Sequence, residues 1–169
     1  MITLTELNSL SREGFVRNVG PVFEHSPWIA ETAWASRPFA NVEQLHGALC
    51  QVVRNASEGQ KLALIRAHPD LVGRAALAGT LTRESTSEQA SAGLNHLTTE
   101  EIAACQKYNA AYRERFGFPF VICARLNRKE AILAGFEARL HNSHEQEVAA
   151  ALGEIFKIAE LRLRDLVMS

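Results

Sequence analysis

The sequence predicts an all-α fold: one domain over residues 1–169, a bundle of about eight helices with one short extended segment. Three observations carry that prediction. Helix-start patterns recur along the chain, apolar residues repeat at helical spacing between them, and only one run is strand-like. The starts are Asn41-x-x-Gln44, Ser57-x-x-Gln60, Thr98-x-x-Glu101, Asn127-x-x-Glu130 and Ser143-x-x-Gln146. Each pairs a capping side chain with Glu or Gln three residues on, so that two otherwise unpaired backbone N–H groups of a first helical turn find acceptors.

These signals place the elements in order. A short helix is expected near 5–18, followed by one near 27–36, where Ser26-Pro27 sets Pro at the first helical position and its missing N–H costs nothing. Helices follow near 42–55 and 58–67, with Val42, Leu45, Leu49 and Val52 on one face of the first. A short helix near 86–94 precedes a long one over 99–116, which should stop at Gly117. The run Phe118 to Ala124 is extended, but Pro119 argues against a central strand, and one segment makes no sheet. The last helices fall near 128–141 and 144–168. The final one carries a stripe of Val148, Leu152, Ile155, Ala159 and Leu166, interrupted by Arg162.

Composition narrows the function. A formal net charge of −1 gives no electrostatic reason to expect nucleic acid or an anionic membrane as partner. No apolar run is long enough to span a bilayer. Three widely spaced cysteines (Cys50, Cys105, Cys123) lack any C-x-x-C pair, so neither a disulfide framework nor a zinc site is expected. Met1 to Glu6 shows no secretory pattern and Val167-Met168-Ser169 no peroxisomal one, so the expected location is cytoplasmic.

Four places could carry chemistry. Pro69 disfavours the α conformation at His68, which should therefore sit at the end of the 58–67 helix. There it is either a proton-transfer group or a cap on the last carbonyls. Glu88 closes the pattern Ser85-x-x-Glu88, and so is either a helix-starting cap or a carboxylate held ionised at a helix N-terminus. Ser85, Thr86, Ser87 and Gln89 surround it with hydrogen-bonding groups. Arg162, on an apolar stripe, either snorkels to solvent, pairs inside, or grips a substrate carboxylate. The run Phe116 to Cys123 is either a buried connector paired with neighbouring helices or a lining whose backbone meets a planar polar ligand. Nothing near Cys123 marks an activated thiolate. His141-x-x-His144 is a weak metal-ligand spacing across a helix break.

Taken as an ordered set, these segments resemble 2-oxo-4-hydroxy-4-carboxy-5-ureidoimidazoline (OHCU) decarboxylases. The resemblance rests on His68-Pro69-Asp70-Leu71, Gly73-Arg74 with Leu77, Ser85-x-x-Glu88-Gln89 with Ala92-Gly93-Leu94, and Asn109 with Tyr112. Phe116-Gly117-Phe118-Pro119-Phe120-Val121 and Leu161-Arg162-Leu163 complete it, from about residue 10 to the end. It implies a cofactor-free, metal-free all-α enzyme of urate degradation yielding (S)-allantoin and CO2, commonly as a homodimer. By the same resemblance His68 is the catalytic histidine and Glu88 its carboxylate partner. Pro69, Ser85, Thr86, Ser87, Glu88 and Gln89 would line the substrate, as would the backbone of Phe120, Val121, Ile122, Cys123 and Ala124. Arg162 would bind it. The competing readings are a non-catalytic helical module that binds a small molecule or a partner, and a metal-assisted hydrolase using His141 and His144.

Overall fold

The computed structural model describes residues 1–73, 76 and 78–168. Its described helices are α1 (Leu4–Ser9), α2 (Arg12–Val19), α3 (Pro27–Ala33), α4 (Val42–Asn55), α5 (Glu58–Ala67), α6 (Arg83–Ser91), α7 (Thr99–Phe116), α8 (Lys129–Arg139) and α9 (His144–Leu166). The fold is all-α, as the sequence predicts. Among the described residues the one sheet is a parallel pair, β1 (Ile2–Thr3) and β2 (Val167–Met168), with Ile2 opposite Val167 and Thr3 opposite Met168. Two residues per strand carry no readable alternation, so nothing in the sequence announces the pair.

The helix starts follow local chemistry. Asn41 accepts from the Gln44 amide, and Thr98 and Glu101 form a reciprocal capping box. Ser57 with Gln60 and Ser143 with Gln146 do the same. Gly117 ends α7 in the left-handed conformation, φ 74°, that glycine adopts without steric cost.

Three expectations need correction. The segment near 5–18 is two helices, because Leu10 is extended and Ser11 starts α2 by accepting from the Gly14 amide. Asn127 does not cap α8: its amide donates to the Cys123 carbonyl at 3.0 Å, and Arg128 occupies the cap without a side-chain bond. Finally, α4 buries Leu45, Leu49, Cys50 and Val53 rather than Val42 and Val52, so its core face is turned towards an i, i+4 row.

The chain packs as two compact units, residues 1–67 with the chain from 156 on, and residues 68–155. In the first, α3 packs against both α2 and α4 around Phe15, Ile29, Leu45 and Leu49, all fully buried. The second has an aromatic core in which Tyr112 lies 4.6 Å from Phe116 and 5.5 Å from Phe120, ring centre to ring centre, while Phe120 stacks on Phe136 at 3.9 Å. No described helix is long and apolar enough to cross a membrane.

Candidate active site

His68 directly follows α5, where Pro69 stops the helix, and it is buried. The chain then makes a tight turn over Asp70–Gly73, closed by a bond from the Gly73 amide to the Asp70 carbonyl at 3.2 Å. Val72 has φ 52°, a left-handed conformation that a β-branched residue adopts only under constraint. The constraint comes from three side chains. Gln89 on α6 accepts from the Val72 amide at 3.1 Å, and Asn109 on α7 donates to the Leu71 carbonyl at 2.8 Å. One helical turn beyond Asn109, Arg113 donates to both Asp70 carboxylate oxygens at 2.9 and 3.0 Å. Gly73 completes the turn, since a Cβ there would meet the Asp70 Cβ at 2.6 Å.

Helix α6 begins earlier than its sequence suggests. Thr82, not Ser85, is the cap, and its hydroxyl accepts from the Ser85 amide at 3.2 Å. The Ser85-x-x-Glu88 pattern therefore closes no helix start, and Glu88 lies more than one turn inside α6, away from the exposed N–H groups of the first turn. That removes the capping explanation of Glu88 and also the helix-terminus argument for its ionisation. The Glu88 side chain is half-buried, whereas Ser85 and Gln89 are buried on one face.

The apolar segment after α7 is fixed by charged side chains rather than by a sheet. Glu154 on α9 accepts from the Cys123 amide at 2.8 Å, and Arg139 at the end of α8 donates to the Val121 carbonyl at 2.7 Å. Arg139 stacks over Phe120 and donates to Glu147 at 2.6 Å. Glu147, fully buried, also accepts from Tyr112 and from Asn142. The connector reading of this run is thus correct for those backbone groups. Helix α6 packs against the 3-10 turn Ala124–Leu126. Burial pushes the Cys123 thiol up, and the carboxylates of Glu154 and Glu88 push it further. Cys123 is therefore a poor nucleophile.

The second unit thus gathers His68-Pro69 with its turn, the face of α6 carrying Ser85 and Gln89, and Phe120 to Ala124. Among the described residues, the Gln89 Nε2 and Asn109 Oδ1 atoms are buried there without a hydrogen-bond partner. The other polar atom of each side chain is engaged by the turn, Gln89 at the Val72 amide and Asn109 at the Leu71 carbonyl.

Arg162 lies in the other unit and does not snorkel. Its side chain is 6% exposed, and it donates to Glu24 at 2.9 Å and to the carbonyls of Pro21 and Val22 at 3.4 Å. Its neighbours on α9 are Ile155, Ile158 and Ala159, all buried. The His144 ring packs edge-on against Phe118, and no three possible metal ligands cluster among the described residues. Arg74 and Leu77, which belong to the motif after His68, lie outside the described residues.

Sequence reasoning missed Glu24, Arg139, Glu147 and Glu154, and took Asn109 only as part of a motif. For two of them a signal existed: Asn109 stands between Cys105 and Tyr112 on the buried face of α7, and Glu147 stands four residues before Ala151 on that of α9. A polar side chain on an apolar row calls for a partner.

An all-α unit with a clamped His-Pro turn beside a row of polar side chains has the makings of a small-molecule enzyme site. The sequence pattern of the OHCU decarboxylase family matches residues 8–164. The chain is 43% identical over 164 residues to the 2-oxo-4-hydroxy-4-carboxy-5-ureidoimidazoline decarboxylase of Amia calva, covering 97% of this chain and 94% of that one. It is likewise 43% identical to the Haloferax volcanii protein of that name, covering 97% and 95%. Among solved structures, an (S)-allantoin synthase superposes with a TM-score of 0.80 at 30% identity, over all of this chain and 55% of that one. The chain belongs to the OHCU decarboxylase family, a family of carboxy-lyases in urate degradation.

Proposed function

We propose that this chain converts OHCU to (S)-allantoin and CO2 in the cytoplasm, as a homodimer and without metal or cofactor, with His68 and Glu88 as the acid–base pair. The observation that supports this reading is that one compact unit holds the turn after His68-Pro69, α6, whose Gln89 bonds that turn, and the Ala124–Leu126 turn against which α6 packs.

The substrate supplies its own electron sink. When the C–C bond to its carboxylate breaks, CO2 leaves and the electron pair passes into the adjacent ring C=N. The ring nitrogen takes up a proton. The hydroxyl of the resulting enol gives up its proton as it becomes a C=O, and a proton added to the neighbouring carbon completes the new stereocentre. The protein's tasks are to hold the carboxylate out of the conjugated plane, to manage the neighbouring hydroxyl, and to deliver that proton to one face. His68 suits the proton transfer, and Glu88 suits the hydroxyl while its charge disfavours the nearby carboxylate. Gln89 would line the substrate together with Pro69, Ser85, Thr86, Ser87 and the backbone of Phe120 to Ala124. Arg162 is assigned a substrate-binding role on the family resemblance, its guanidinium being engaged within its own unit by Glu24 and by the Pro21 and Val22 carbonyls.

The test uses freshly generated substrate followed by circular dichroism. Wild-type protein should give one enantiomer, whereas spontaneous decay gives racemic allantoin. His68→Asn should keep its helical content and lose about a hundredfold or more of turnover. A folded His68→Asn protein with near-normal turnover would sink the assignment.

A further inference from the structure

We infer that Asn109 is a positioning residue: with Gln89 it holds the Leu71–Val72 peptide in the orientation that shapes the turn behind His68 and Pro69. The inference rests on the proposed site, and it concerns a residue that the site reading leaves without a task.

The Leu71 carbonyl and the Val72 amide belong to one peptide group. Asn109 donates to its oxygen and Gln89 accepts from its N–H, so both ends are fixed by side chains from two different helices. This is the central peptide of the Asp70–Gly73 turn. Its orientation separates a turn with positive φ at the third position from the commoner type with negative φ there. Positive φ at that position suits Gly or Asn; here it falls on Val72, at 52°. Among the described non-glycine residues His25 is the only other with positive φ. Left to itself a valine would turn the peptide over.

Both clamping side chains are at least nine-tenths buried, and among the described residues neither has a second partner that would explain its presence. A flip of the peptide would break both bonds and oblige two packed amides to rotate. Asn109 also shares its helix face with Arg113, which holds Asp70 in the same turn. The turn begins two residues after His68, so its geometry fixes where Pro69 and the imidazole are presented.

The experiment introduces Asn109→Ala, and separately Asn109→Asp, into the wild-type chain and into the Val72→Gly background. Asn109→Asp keeps the shape and the spare oxygen but loses the donor, which guards against a fold failure in the alanine variant. In the wild-type chain each substitution should lower kcat about tenfold or more with KM changed little, the signature of a displaced reacting group. In the Val72→Gly background the same substitutions should cost less than about threefold, because glycine accepts positive φ without strain. Hydrogen exchange at the residue-72 amide should follow: protection lost in Asn109→Ala, and retained when Val72→Gly accompanies it.

Equal kcat losses in both backgrounds would overturn the inference. So would a loss confined to KM with Asn109→Asp active, which would make Asn109 a substrate contact. Intact turnover in His68→Asn is a different failure: it would remove the proposed site, while the exchange at residue 72 would still decide the clamp.

Discussion

Glu88 has no structural task at the start of α6, and this sharpens what its substitution should do. Thr82 performs the capping, so Thr82→Ala should cost about 1 kcal/mol of stability, measured by denaturant titration, with turnover affected much less. Glu88→Gln should do the reverse. It keeps the side chain's shape and removes its charge, and the expected result is a hundredfold or so loss of turnover with the melting temperature nearly unchanged. A Glu88→Gln protein that melts early in proportion to its lost activity would return Glu88 to a structural role. At this scale the sequence singled out His68 and Glu88 but misread the local context of the second. Ser85-x-x-Glu88 and the true start at Thr82 are both short-range patterns. The choice between them fell to burial, since a start at Thr82 puts Ser85 and Gln89 together on the buried face.

The turn Asp70–Gly73 shows how unequal the contributions within one element are. Gly73→Ala drives a Cβ to 2.6 Å from the Asp70 Cβ, and neither backbone can yield without opening the turn. A loss of about 1–3 kcal/mol is expected, as for other overpacked sites. Arg113→Ala removes an ion pair whose arginine side chain is 46% exposed, and should cost only about 0.2–1 kcal/mol. Chemical denaturation of the two variants checks the ranking, and a larger loss for Arg113→Ala would mean that the turn is held mainly by charge. The apolar segment that follows α7 is the opposite case. Among the described residues it has no ladder, and its Val121 carbonyl and Cys123 amide are met by Arg139 and Glu154, both supplied from helices later in the chain.

For the whole molecule, the buried pair Arg162–Glu24 is the strongest test of long-range pairing. Glu24→Ala would leave a buried guanidinium without its carboxylate and should cost about 3–5 kcal/mol, whereas an exposed pair would cost far less. Arg162→Lys keeps the charge but not the fork. If Arg162 also serves the substrate, calorimetric binding of a carboxylate-bearing allantoin analogue should weaken about tenfold or more. Unchanged affinity would confine Arg162 to its pairing with Glu24. The sequence by itself determined the helices and most of their ends. An N-cap, a capping box and a C-terminal glycine are bonds between residues three or four apart, so they act in any all-α context. Only the tertiary structure decided the pairing of β1 with β2, the partner of Arg162 at a separation of 138 residues, and the strained turn at Val72. In each of those, local preference is neutral or opposed. The deciding energy comes from groups brought together by chain folding, and no spacing along the sequence records it.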